Sequence, residues 1–197
     1  MSLSSQTPVQ LATFADLVAI PEDQRFHEIL DGALVPKEAT SAEHALTQGS
    51  VRAKLDGYSG QKNGPSRPGG WWLLTEPTVR LGAYQTVRPD VAGWRRERMP
   101  ERPSGYPIYL RPDWVCEIHV LGDARRRDTL QKRRIYAEHA VPHYWLLDAE
   151  RETLSVLRLV GEVYVEVLHA ERAAVLRAEP FDGLELAVAS LFGHDAE

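Results

Sequence analysis

Apolar positions along the chain change spacing several times, and each change predicts an element. TFADLVAI reads as a short helix that stops before Pro21, and a second helical stretch runs into Phe26 and Ile29. Asp31-Gly32 then turns the chain into a strand, ALVPK. Thr40 with Glu43 three residues on forms a capping box. Beyond it Ala45, Gln48, Val51, Arg52, Leu55 and Tyr58 recur at helical spacing, which predicts a helix over 41–57. SGQKNGPSRPGG is too rich in Gly, Pro and Ser for regular structure and reads as a loop. WWLLTEPTVRL, TVRPDVAGW, DWVCEIHVL and HYWLLD are short, β-branched or aromatic, and bounded by turn residues, so they read as strands. RRRDTLQKRRIYAEHA supplies a helix before the last of these. TLSVLRLV and EVYVEVL flank Gly161 as a hairpin, and DGLELAVASLF reads as a short closing helix. The order gives a mixed α/β protein, read as one domain over 1–197.

Composition refines this picture. At 197 residues folding buries roughly 70% of the unfolded surface, so a core forms without disulfide or metal staples. The lone Cys116 suits a reducing cytosol. Apolar runs fall short of the roughly 18 residues a transmembrane helix needs, and the first twenty residues carry Asp16 and lack a charged leader region. The expectation is a cytoplasmic protein with no membrane partner. The net charge of −5 argues against nonspecific coating of nucleic acid. It is unevenly spread, however: residues 88–134 hold 12 Arg or Lys against 7 Asp or Glu, leaving 11 against 21 elsewhere. Gathered on one surface, that segment would attract a polyanion; solvated arginines on loops and a helix face are the plainer account.

The same segment holds the candidate chemistry. Asp90 follows Arg88-Pro89 among Val87, Val91 and Trp94, which suit a sheet core. The strand period of two puts Glu117 and His119 together on one face of DWVCEIHVL, and a buried carboxylate needs a partner. On the next helix Asp128, Lys132, Ile135, Tyr136 and His139 share a side, and Ile135 and Tyr136 mark it as the packed one. His44 and Gln48, one turn apart on the earlier helix, can approach the same region. Carboxylates of adjacent strands can hold Mg²⁺ or Mn²⁺ for phosphodiester hydrolysis, with the Lys132 ammonium orienting water or offsetting phosphate charge. A buried ion-pair network satisfying Lys132 is the competing account.

At these residues the chain resembles the PD-(D/E)XK nuclease superfamily, and more closely a large bacterial family of restriction-endonuclease-like proteins of unassigned role. The stretches HEILDGALVPK, EHALTQGSV, RPDVAGW, PDWVCEI and RRDTLQKRRIYAEHAVPHYWLLD, then the closing hairpin, follow the family's order. The resemblance implies a restriction-endonuclease-like mixed β-sheet flanked by α-helices with a C-terminal β-hairpin extension. It also implies a Mg²⁺- or Mn²⁺-dependent endonuclease acting on DNA, with RNA not excluded. By position Asp90 matches the first metal-binding acid, Glu117 the second, and Lys132 the lysine; Glu28 and His44 match further polar positions near the site. His119 stands where the superfamily places its lysine, and here it is either a partner of Glu117 or an accessory ligand or base. Where the family continues with Ser-Pro-Ser, this chain reads Glu117-Ile-His-Val-Leu-Gly-Asp, and the spacing to Asp128 is about one residue longer. One residue turns a helical side chain by about 100°, so the loop must absorb the difference. A decayed site would leave a nucleic-acid-binding or assembly protein; a small-molecule phosphoesterase is a third class.

Arg125, Arg126 and Arg127 stand near a helix N-terminus, where cations oppose the helix dipole, and an anionic partner explains them better than helix stability does. A homodimer through edge strands is an expectation by analogy with related nucleases. His139 and His143 have zinc-pair spacing, but Pro142 ends the helix between them, and no HExxH, GxSxG or phosphate-loop glycine pattern is present.

Overall fold

The computed structural model describes residues 10–37, 40–60, 68–120 and 123–194, except for the side chains of 123–129. The described elements run α1 (Phe14–Ala19), β1 (His27–Leu30), β2 (Ala33–Pro36), α2 (Ala42–Lys54), β3 (Trp71–Thr75), β4 (Val79–Gly82), β5 (Gln85–Val87) and β6 (Val91–Arg95). They continue with β7 (Trp114–His119), α3 (Asp123–Glu138), β8 (His143–Asp148), β9 (Thr153–Val160), β10 (Val163–Glu171), β11 (Val175–Leu176) and β12 (Leu186–Ala187).

Six strands in the order β10-β9-β8-β7-β6-β3 form the main sheet, and four in the order β2-β1-β5-β4 form a smaller one. Among the described strands of the main sheet only the β7–β8 pair is parallel, because α3 carries the chain between them. The β9–β10 hairpin extends this sheet beyond β8.

The main sheet is covered on both faces, which explains why β7 reads as nearly continuous apolar sequence. On one face Trp114, Cys116, Ile118 and Trp145 pack with Val51 and Leu55 of α2 and with Phe181. On the other, Val115 and Tyr144 pack with Ile135 and Tyr136 of α3. Phe181 closes the first core, its ring 4.9–5.5 Å from those of Tyr58, Trp71, Trp114 and Trp145. These aromatics are therefore core. Gly93 of β6 leaves room for them, since a Cβ there would lie 2.9 Å from Leu73 and 3.1 Å from Trp71.

Several elements differ from the sequence expectation. The stretch into Phe26 and Ile29 is a short 3-10 turn (Glu22–Gln24) followed by strand β1, not a second helix. Asp31 and Gly32 both take positive φ (53° and 76°), the geometry of a tight hairpin, so β1 pairs antiparallel with β2. The α2 cap is Ser41, whose Oγ accepts the His44 N–H; the Thr40–Glu43 box does not form. The final element is a 3-10 helix, Val188–Phe192, preceded by β12. Asp90 lies in the bend between β5 and β6 and not within a strand.

Candidate active site

The site forms where the chain crosses from the small sheet to the large one, at Arg88–Asp90. Glu28 on β1 accepts the Arg88 N–H at 2.6 Å, so its carboxylate continues the β1–β5 ladder. Lys37, just past β2, donates to the Arg88 carbonyl at 2.6 Å and to Asp90 Oδ1 at 2.8 Å. Gln48 of α2 donates to the Asp90 carbonyl at 2.9 Å.

Asp90 caps the β6–β7 pairing. Val91 stands opposite Cys116, which puts Asp90 next to Glu117 in the same ladder. Asp90 Oδ2 accepts the Ile118 N–H at 2.7 Å and lies 3.1 Å from His44 Nε2. Lys132 reaches from α3 to both Glu117 oxygens at 3.1 and 3.2 Å and to Glu28 Oε1 at 2.9 Å. Tyr136, one turn further along α3, donates its hydroxyl to Glu117 Oε1 at 2.6 Å. Glu28, Asp90, Glu117, Lys132 and His44 are all at most 6% exposed.

Glu28, His44, Asp90, Glu117 and Lys132 are thus brought into one cluster, and the longer connection after Glu117 leaves Lys132 against its acids. His119 lies two residues beyond Glu117 at the end of β7, opposite Asp148. The side chains of Arg125, Arg126, Arg127 and Asp128 lie outside the described residues. Lys37 and Tyr136 are polar members of the site that the sequence expectation did not assign to it. The signal for Lys37 was the Asp31-Gly32 hairpin: once β1 and β2 pair, a residue just past β2 returns to the level of Glu28. Tyr136 stands at i+4 from Lys132 on the packed face, where a buried hydroxyl requires an acceptor.

Electrostatics set the protonation of the acids. Burial alone would raise the Asp90 carboxyl, but the Lys37 charge, the hydrogen bond and charge of His44, and Lys132 together hold it well below the usual carboxylate range. Glu117 moves the other way: burial and the charges of Asp90 and Glu28 push it up to about 7, against the opposing pull of Lys132 and Lys37. Lys132 keeps its proton, because the charges of Glu117, Glu28 and Asp90 outweigh the burial that would lower it.

These opposite shifts have opposite consequences for stability. Asp90 contributes stability above its ordinary value of 3.8, and that contribution is lost as pH falls. Glu117, ordinarily near 4.5, retains its proton in the fold up to about 7, so its contribution declines as pH rises through that window. In EDTA, the melting temperature of Glu117→Gln relative to the parent should therefore climb between about pH 5 and pH 7. A difference that stays flat across this range contradicts the assignment.

The donor set fits a hard divalent ion. Among the described residues no group of three or more His, Cys, Asp or Glu side chains is placed to hold a metal by itself. Asp90 and Glu117 offer two carboxylates, and Mg²⁺ is commonly held by one or two, with waters and substrate phosphate completing its shell. Burial raises the Glu117 carboxyl first and the charges of Asp90 and Glu28 add to it, and a cation bound there would oppose both. His44 Nδ1 is buried without a hydrogen-bond partner, while its Nε2 faces Asp90.

The comparisons with known proteins bear on the fold and the family. The crystal structure of "a putative nuclease belonging to DUF820 from Anabaena variabilis ATCC 29413" is 19% identical, covers 91% of this chain and 97% of that one, and superposes with a TM-score of 0.66. A "cryoEM structure DrdV-DNA complex" is 14% identical over 76% of this chain and 13% of that one, with a TM-score of 0.30, too low to carry an argument. No curated protein matches. The mixed α/β fold is that of a nuclease-like neighbour, and among the described residues no helix is long and apolar enough to cross a membrane. A family model described as "Putative restriction endonuclease" matches residues 12–189, nearly the whole chain, and the protein therefore belongs to this family, Uma2.

Proposed function

We propose that this protein is an endonuclease that hydrolyses phosphodiester bonds in DNA with Mg²⁺ or Mn²⁺ held by Asp90 and Glu117. The observation that carries the reading is the meeting of these two buried carboxylates, from adjoining ladder positions, with the Lys132 ammonium 3.1 Å from Glu117. The bound ion would polarise a phosphoryl oxygen and lower the pKa of an attacking water. Asp90 is oriented for this task by Ile118 N–H and His44, and Glu117 by Tyr136. Lys132, fixed between Glu28 and Glu117, places a positive charge beside the site where charge grows on the phosphate.

DNA as substrate is supported by the basic excess of residues 88–134 in an otherwise acidic chain. Cytoplasmic location and action as one unit over 1–197 belong to the same reading. A second reading, a decayed site that binds nucleic acid without cutting it, is favoured by one feature: the oxygens of Asp90 and Glu117 already accept from protein donors.

The two readings separate in a supercoiled-plasmid assay. The nuclease reading predicts nicking or linearisation with Mn²⁺ or Mg²⁺, none in EDTA, and salt-sensitive binding. Salt-sensitive DNA binding with no metal-stimulated cutting supports the decayed site. Turnover of mononucleotide-like esters, with little response to salt, points to a small-molecule phosphoesterase.

A further inference from the structure

We propose that Lys37 is a built-in competitor for the divalent ion at Asp90: its ammonium holds Oδ1, and the ion binds as that ammonium withdraws. The inference rests on the metal-dependent reading above.

Asp90 divides its two oxygens between different partners. Oδ2 is committed to the protein, accepting the Ile118 N–H and facing His44. Oδ1 is held by Lys37 at 2.8 Å, with the lysine side chain 10% exposed and the aspartate side chain 3% exposed. An ion approaching Asp90 therefore meets an ammonium on the oxygen that is not part of the β6–β7 ladder.

Charge balance indicates which lysine gives way. Three carboxylates, Glu28, Asp90 and Glu117, face two ammoniums, Lys37 and Lys132. A divalent ion added to that set would leave excess positive charge in a buried space and set a cation directly against Lys37. With Lys37 withdrawn and the Glu117 proton displaced by the ion, the ion and Lys132 neutralise the three acids. Removing Lys132 instead would uncover two acids at once, since it bridges Glu28 and Glu117. Lys37 also has a second hold, the Arg88 carbonyl at 2.6 Å, so its ammonium can leave Oδ1 and still keep a hydrogen bond. Lys37 thereby keeps the buried acids compensated before metal arrives, and it sets how much metal the site requires.

The test is Mn²⁺ binding to the full chain at fixed pH, followed by the loss of the free-ion paramagnetic signal, for the parent, Lys37→Met and Asp90→Asn. Lys37→Met should bind Mn²⁺ at least about tenfold more tightly than the parent, within the range that groups neighbouring a metal's ligands exert. Asp90→Asn should bind more weakly than either. Melting temperatures give a second readout: Lys37→Met should melt below the parent in EDTA and gain more from Mn²⁺. Lys37→Gln, which keeps a polar group for the Arg88 carbonyl, should show the same tightening if the methionine variant does not fold. Parent-like or weaker affinity in a folded Lys37 variant, with Asp90→Asn still impaired, overturns the competitor role and leaves the metal reading standing. Absence of Mn²⁺ binding throughout, or parent-like binding by Asp90→Asn, overturns both.

Discussion

Asp90→Asn should reduce metal-stimulated DNA cleavage about a thousandfold or more in a protein that still folds but melts at a lower temperature, because Lys37 loses its acid. The substitution keeps the shape of the side chain and its acceptor for the Ile118 N–H, which holds the end of β7 at 2.7 Å. It removes the negative charge that would bind the ion, and a catalytic metal supplies several kcal/mol of transition-state stabilisation, equivalent to about three powers of ten in rate. The control is the circular dichroism spectrum and melting curve of the variant. A well-folded Asp90→Asn protein that cuts plasmid at the parent rate would remove Asp90 from the chemistry.

Lys132→Met should destabilise the protein by about 3–5 kcal/mol in metal-free buffer, the cost of leaving a buried ionic partner uncompensated. Lys132 is 6% exposed and is the shared cation of Glu28 and Glu117. Without it both carboxylates must stay charged in a low-dielectric space or take up protons. The second route is already half open at Glu117, whose carboxyl sits at about 7. The double variant Lys132→Met/Glu117→Gln should therefore lose less stability than Lys132→Met alone, as measured by chemical denaturation. Additive losses would show that the lysine and the glutamate do not depend on each other.

Much of this arrangement is legible in the sequence because period and chemistry agree there. The period of two in DWVCEIHVL puts Glu117 on the α3 side of the sheet, and the helical spacing of Lys132, Ile135 and Tyr136 turns the lysine to the same side. His44 and Gln48, one turn apart on α2, both reach Asp90. Other parts depend on tertiary geometry that local pattern does not carry. β1 is only four residues long, too short for its alternation to compete with an apparent helical continuation. Its identity as a strand comes from pairing across Asp31-Gly32 and from contact with β5. Lys37 enters the site only through that pairing. Asp90 falls in the crossover between two sheets, which a linear reading of TVRPDVAGW merges into one strand. The hydroxyl of Tyr136 is hidden in the sequence because its ring already satisfies the apolar stripe of α3.

The most direct test of the central claim is a crystal of the protein soaked in Mn²⁺ and measured for anomalous scattering. The account predicts one strong peak between the carboxylates of Asp90 and Glu117, with the Lys132 ammonium beside it and Lys37 moved off Asp90 Oδ1. A fully soaked crystal with no peak there, and with the contacts of Lys37 and Lys132 to their acids unchanged, would contradict it.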